Sequence, residues 1–301
     1  MTLPPQVGRR LDLMPRPDVP LLIGLNSGHA VRVEDMSGAG AQELADGFGD
    51  VAGGTAAPRL GLMAPQGRLI AVSPGGPLRT RTLLPTPGWQ DMRRPVPVVD
   101  FTFDASGRVM YGVSSTGNTI FRYDTQTDDI QFIGGPGSGP GQLMRPERIA
   151  LDAQGRIYVA DGYRIVRMND ITGNGWTAFG SPGHGRGQFT YIKGLAVDGK
   201  GRIYASDVLA NRLVKIDDIT GAGWAVYPGG FHRPAGVATD SFDRIYVALP
   251  VGGRIVRMDD ITGAGRKDLM VADAPGLTWA RHRGPATVVP VRPGRRDDRP
   301  R

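Results

Sequence analysis

Short apolar runs of about five residues, each bounded by Gly, Asp or Asn, recur along the chain at nearly constant intervals. They include LLIGL (21–25), IYVAD (157–161), IYASD (203–207) and IYVAL (245–249). Each is followed, after a polar turn, by a second run such as RIVRM (164–168), RLVKI (212–216) or RIVRM (254–258). Runs this short, rich in β-branched and aromatic residues, predict strands rather than helices. The longer phrase RIVRMDDITGAG (254–265) also recurs. It appears as RIVRMNDITGNG (164–175), RLVKIDDITGAG (212–223) and, more worn, AVRVEDMSGAG (30–40). A unit that returns about every 45 residues marks a repeat fold.

Superposing the Gly-Arg step aligns GRLIAVS (67–73), GRVMYGV (107–113), GRIYVAD (155–161), GRIYASD (201–207) and DRIYVAL (243–249), with LLIGL ahead of them. Counted from Leu21, Leu69, Val109, Ile157, Ile203 and Ile245, the spacings are 48, 40, 48, 46 and 42 residues, which makes six units. Each well-kept unit reads as four strands. A Pro-led strand such as PERIALD (146–152) comes first, then an Asp-x-x-Gly turn, the Ile-Tyr-Val-Ala strand, RIVRM, the Asp-Asp-Ile-Thr-Gly turn and a last strand such as WTAFG (176–180). Four short strands in each of six units predict an all-β, six-bladed β-propeller of four-stranded antiparallel blades over 20–290. The first unit has no Pro-led strand of its own. APGLTWARH (274–282) resembles one, so the first blade is expected to be closed by this C-terminal strand.

The segments GQLMRPERIALDAQGRIYVADGYRIVRMND (141–170) and GQFTYIKGLAVDGKGRIYASDVLANRLVKID (187–217) resemble NHL repeats. That family's pattern runs Gly-Gln-Phe, Pro-x-Gly-Ile-Ala-Val-Asp, Gly-x-Ile-Tyr-Val-Ala-Asp and Arg-Ile. Units four to six carry it well, unit three moderately and the first two weakly. The resemblance implies a propeller. It leaves function open, because NHL propellers include RNA-binding and protein-interaction modules, sensor domains and a metal-dependent lyase.

Gly 45 and Pro 25 are spread through the chain at turn positions, and Cys 0 excludes thiol chemistry and a disulfide framework. The net charge of +7 points toward polyanions, but its distribution does not. Residues 281–301 carry +5 and residues 1–19 carry +1, leaving about +1 for the body. Residues 1–19 read as an N-terminal extension and 291–301 as a flexible basic tail. No apolar run is long enough to span a bilayer, and no secretory signal is evident, so the expectation is a soluble, cytoplasmic monomer. A trimmed chain would leave a periplasmic or extracellular location open. Nucleic acid is not the expected partner: Tyr163, Tyr191 and Phe231 beside Lys193 and Arg233 are thin support for base stacking.

Propellers commonly bind ligands where the inter-blade loops enter the innermost strands. Matching each unit to Glu147 gives Arg59, Val99, Glu147, Lys193 and Ala235, and the next position gives Leu60, Asp100, Arg148, Gly194 and Gly236. One channel mouth is thus expected to hold Arg59, Asp100, Glu147, Arg148 and Lys193. Charges so placed are either paired across blades or used on a ligand. Asp161, Tyr163, Asp207 and Asn211 belong to the same end, the two Asp more as turn formers than as ligands, with His232 and Arg233 just upstream of the sixth inner strand. The Asp-Asp-Ile-Thr-Gly turn lacks the alternating oxygens and distal Glu of a calcium loop. The four histidines, His29, His184, His232 and His282, form no zinc motif. No cofactor is expected and no catalytic residue can be assigned. The favoured reading is a module that binds a peptide, a protein or a small polar ligand. The alternative is a metal-dependent lyase or lactone hydrolase at the mouth, for which calcium or zinc is the candidate metal.

Overall fold

The computed structural model describes residues 98–114 and 117–270 in full and, in the flanking segments, the backbone of the strands alone. Among these residues, four-stranded antiparallel sheets follow one another along the chain. The first sheet contains β1 (Leu21–Gly24), β2 (Ala30–Val33) and β3 (Gln42–Ala45). The second is β4 (Arg59–Met63), β5 (Arg68–Val72), β6 (Leu78–Thr82) and β7 (Gln90–Asp91). The third is β8 (Val98–Phe103), β9 (Val109–Ser114), β10 (Thr119–Asp124) and β11 (Ile130–Gly134). The fourth is β12 (Pro146–Leu151), β13 (Ile157–Asp161), β14 (Arg164–Met168) and β15 (Thr177–Phe179). A short parallel pair, β16 (Ser181–Pro182) and β17 (Gln188–Phe189), leads to the next sheet. That sheet is β18 (Ile192–Val197), β19 (Ile203–Asp207), β20 (Arg212–Ile216) and β21 (Ala225–Val226). The last is β22 (Val237–Thr239), β23 (Ile245–Leu249), β24 (Arg254–Met258) and β25 (Lys267–Met270). Finally β26 (Thr278–Ala280), from the APGLTWARH segment, returns to pair with β1, with Ile23 opposite Trp279.

The first strand of each sheet lies beside the first strand of the next, from β4 through β8, β12 and β18 to β22. In the fourth sheet burial falls off at the outermost strand. All five residues of β13 are buried, whereas Thr177 and Ala178 in the fourth strand are exposed. The apolar clusters sit between sheets. Ala150, Tyr158 and Ile165 pack against Leu195, Ile203 and Val214, and Ala196, Tyr204 and Leu213 pack against Ile245, Val247 and Val256. A strand covered on both faces has no polar side to present, which is why IYVAD shows no alternation. Each fully buried Val or Ile contributes roughly 1.5–3 kcal/mol.

A polar staple repeats inside these layers. Asp152 Oδ2 accepts from Arg156 Nε at 2.5 Å and from the Tyr158 hydroxyl at 3.2 Å, while Oδ1 caps the amides of Gln154 and Arg156. Asp198 does the same with Arg202 and Tyr204, and Asp240 with Arg244 and Tyr246. Burial, then the neighbouring carboxylate, pushes the Tyr158 hydroxyl up to about 12. The Gly-Arg-Ile-Tyr step of the repeat is thus the other half of the Asp turn before it.

The Asp-Asp-Ile-Thr-Gly segment is a turn between the third and fourth strands. Asp218 Oδ1 accepts from the Thr220 amide at 2.8 Å and its hydroxyl at 2.5 Å, and Asp170 and Asp260 repeat both bonds. Gly223 sits at φ 60°, where a Cβ would also lie 1.8 Å from Asp217 Oδ2.

Gly194 has a different constraint. A Cβ there would meet Ala235 O at 2.3 Å, Ser206 Oγ at 2.6 Å and Val237 N at 2.8 Å, two of them backbone atoms of the neighbouring sheet's entry. Gly194→Ala is therefore expected to destabilise by about 1–3 kcal/mol, the cost of overpacking. Urea unfolding checks it, and an unchanged midpoint would show that the two inner strands are not this close.

Candidate functional site

In three consecutive sheets the inner strand bulges at its entry. The pairing register shifts between Val98 and Asp100, between Pro146 and Arg148, and between Ile192 and Gly194. The residues in the shifts are Val99, Glu147 and Lys193. A bulge takes one residue out of the ladder and re-aims its side chain. Because Pro146 pairs with Asp161 and Ile192 with Asp207, this end of each inner strand is also the exit end of the second strand.

Glu147 is the centre of the group. Its Oε2 lies 2.9 Å from Lys193 Nζ, joining the fourth and fifth sheets, and 3.9 Å from Arg148 Nη1. Its Oε1 accepts from the Tyr191 hydroxyl and lies 3.5 Å from Arg145 Nε. The Arg145 guanidinium carbon stands 4.7 Å from the centre of the Tyr191 ring, a cation–π distance, and Lys193 Nζ stands 5.5 Å from it. Arg148 is 5% exposed and its Nη1 donates to the Glu147 carbonyl at 2.6 Å. Its Nε has no hydrogen-bond partner among the described residues. Asp100, also buried, uses Oδ2 to accept the Ile149 amide at 3.0 Å, tying the third sheet to the fourth.

Burial acts most strongly on Glu147 and raises its pKa, but the Tyr191 hydroxyl, Lys193 and Arg148 together hold it below the ordinary 4.5. Burial first, then the Glu147 carboxylate, raises the Tyr191 pKa. A depressed carboxyl pKa favours folding above the unfolded value, and that contribution is lost as pH falls through the folded one. Glu147→Gln should therefore lower the melting temperature at neutral pH, with the gap to wild type closing below about 4.5. A gap that stays constant down to strong acid would contradict this coupling.

The remaining residues occupy the same end in other roles. Asp161 is fully buried and accepts from the Met144 and Arg145 amides at 2.8 and 2.6 Å and from Arg164 Nε at 2.8 Å. Arg164 reaches on to the carbonyls of Ser138 and Gln142, pinning the Gly-rich loop. Asp207 holds the Thr190 and Tyr191 amides and Arg212, which reaches His184 O and Gln188 O. Tyr163 meets Met144 Sδ at 3.3 Å. Asn211, at φ 55°, accepts the Arg233 amide at 2.8 Å, and His232 and Arg233 are exposed. Asp161 and Asp207 thus hold the backbone of Arg145 and Tyr191, two members of the Glu147 group, whereas the bonds of Tyr163 and Asn211 do not reach it.

Arg59 opens β4, and its side chain lies outside the described residues. Its register differs from the sequence alignment. It pairs with Val72, the counterpart of Ala160, so it stands at the position of Arg148 rather than of Glu147. Ala64 replaces the turn-capping Asp of the other units, and pairing there starts one residue early, at Met63 with Arg68. A one-residue slip changes the face of every side chain. Arg145 was not expected in the group. It and Tyr191 each lie two residues before a mouth residue, a spacing that keeps side chains on one side of a strand.

Among the described residues no three His, Asp or Glu converge as a metal site, and no helix is long and apolar enough to cross a membrane. No family model matches the chain, and no curated protein matches it. Solved structures do. The crystal structure of a nidogen–laminin complex matches 87% of this chain and 97% of that one at 13% identity, with a TM-score of 0.69. Catalytically inactive virginiamycin B lyase from Staphylococcus aureus, solved with quinupristin, matches 83% of this chain and 79% of its own at 14% identity and a TM-score of 0.55. A streptogramin B lyase matches 86% and 85% at 15% identity and a TM-score of 0.55. At such identities the likeness concerns architecture alone, and the architecture shared by these neighbours and this chain is the β-propeller.

Proposed function

We propose that the chain is a non-enzymatic binding module, an NHL-type six-bladed propeller that presents its bulged inner-strand end to a peptide, a protein or a small polar ligand. The supporting observation is the contrast between repeated and unrepeated chemistry. The Asp-Arg-Tyr staples and the Asp-Thr turns recur from sheet to sheet and are satisfied within each one. Glu147, Arg148, Lys193 and Tyr191 have no such recurrence, and they gather at one end of adjacent inner strands. One structural neighbour is a protein–protein complex and others are lyases, so the architecture is compatible with both readings.

The donor set supports this reading over the lyase or lactonase alternative. Both Glu147 oxygens are engaged by cations or a hydroxyl, and Arg145, Arg148 and Lys193 surround them. Cations so placed repel a dication, and a calcium site needs six to eight converging oxygens. The residues present do not fit a calcium or zinc centre.

Screening peptides and polar small molecules by amide chemical shifts tests the reading. Perturbations are expected at Val99, Glu147, Lys193 and the adjoining loops. Perturbations confined to the outer turns, such as Asp170–Gly175, would sink it. So would a calcium- or zinc-dependent rise in melting temperature that Glu147→Gln removes, since a ligand of the native state must stabilise it.

A further inference from the structure

Within that proposed binding reading, on which this inference rests, we infer that the mouth is built for a small organic carboxylate received by Arg148 with Lys193. Among the described residues the cations exceed the anions. Arg145, Arg148 and Lys193 converge on the single carboxylate of Glu147, and counting Asp100 on the adjoining strand still leaves the group positive. Arg148 is almost fully buried, with only Nη1 on an oxygen at hydrogen-bond distance and with Nε unpartnered among the described residues. A buried charged donor without an acceptor requires an explanation. The guanidinium fork matches a carboxylate with two parallel hydrogen bonds.

The surroundings select the charge of that acceptor. Glu147 sits 3.9 Å from the same guanidinium, and its depressed pKa keeps it ionised at neutral pH. A dianionic phosphate would meet that repulsion twice over, whereas a carboxylate carries one charge per group. Lys193, 35% exposed, holds Glu147 at 2.9 Å and can share its protons with an incoming oxygen from the solvent side.

The experiment observes the Arg148 Nε–H resonance directly, assigned by its loss in Arg148→Lys, during titration with acetate, succinate and inorganic phosphate at constant ionic strength set with chloride. Saturable shifts with acetate and succinate are expected, tighter than with phosphate. Lys193→Met should weaken them about tenfold, the size of one charge-assisted hydrogen bond. Arg148→Lys should abolish the shift of the Lys193 amide under acetate while leaving its melting temperature close to wild type. If Arg148→Lys fails to fold, the Lys193→Met arm still decides. A response shared equally by chloride, a preference for phosphate, or no response overturns the inference. If the Arg148 signal stays silent while mouth amides respond to peptides or neutral ligands, the carboxylate assignment fails and the binding-module reading stands. If the mouth responds to nothing, both fail.

Discussion

Removal of residues 274–301 is expected to lower the melting temperature of the entire protein in one transition, whereas removal of 293–301 alone leaves it unchanged. The longer deletion takes away β26, the partner of β1 through Leu22, Ile23 and Gly24. It leaves β1 with an unpaired edge, and on the proposed ring it also cuts a pairing that joins the two ends of the chain. Three cross-strand pairs contribute roughly 0.2–1 kcal/mol each. The exposed edge and the opened interface add to that, because each sheet buries its apolar face only against its neighbours. A total near 3 kcal/mol corresponds to about 5 °C at this chain length. The short end removed in the second truncation, PGRRDDRPR, is by contrast Pro- and Arg-rich with no apolar run to pack. Calorimetry on both truncations gives the answer, and equal melting temperatures would refute ring closure by β26.

Asp161→Ala is expected to be the most damaging single substitution at the mouth, at about 3–5 kcal/mol, the cost of breaking a buried ion pair from one side. The carboxylate holds two backbone amides and Arg164, itself 6% exposed. Its loss strands a buried guanidinium and releases the loop that Arg164 pins at Ser138 and Gln142. Asp161→Asn can keep Oδ1 as the acceptor of both amides but puts an NH2 donor where Oδ2 accepts from Arg164, so it should fall between Ala and wild type. Hydrogen exchange should localise the damage to residues 138–145 and the start of β12. Equal stabilities for Ala and wild type would mean that the loop is held by its glycines and Gln142 alone. A fall shared by Asp207→Ala is expected, since Asp207 repeats the arrangement with Arg212.

How far the sequence could be read depended on repetition. PERIALD, IYVAD, RIVRM and WTAFG became β12 to β15 because local strand propensity and turn chemistry agree within each unit. The Asp-Thr turn was legible for the same reason, as its partners lie two residues apart. The staple of Asp198, Arg202 and Tyr204 was present in the sequence as a fixed spacing, but its chemistry was hidden. A Gly-Arg-Ile-Tyr step looks like strand, and only the hairpin brings its Arg and Tyr back onto the Asp. The start of β4 shows the limit of alignment. Equal spacing from Pro to Gly set Arg59 against Glu147, and the observed pairing moved it by one residue.

By itself, then, the amino-acid sequence determined the strand content, the repeat and the positions at which one unit departs from the next, because those depend on residues close together in the chain. Which departures meet was decided by tertiary structure alone. Glu147 comes from one unit and Tyr191 and Lys193 from the next, and they are joined only where two inner strands run side by side and bulge at the same end. Their charges act across a few ångströms of desolvated space, a distance that no spacing along the chain encodes.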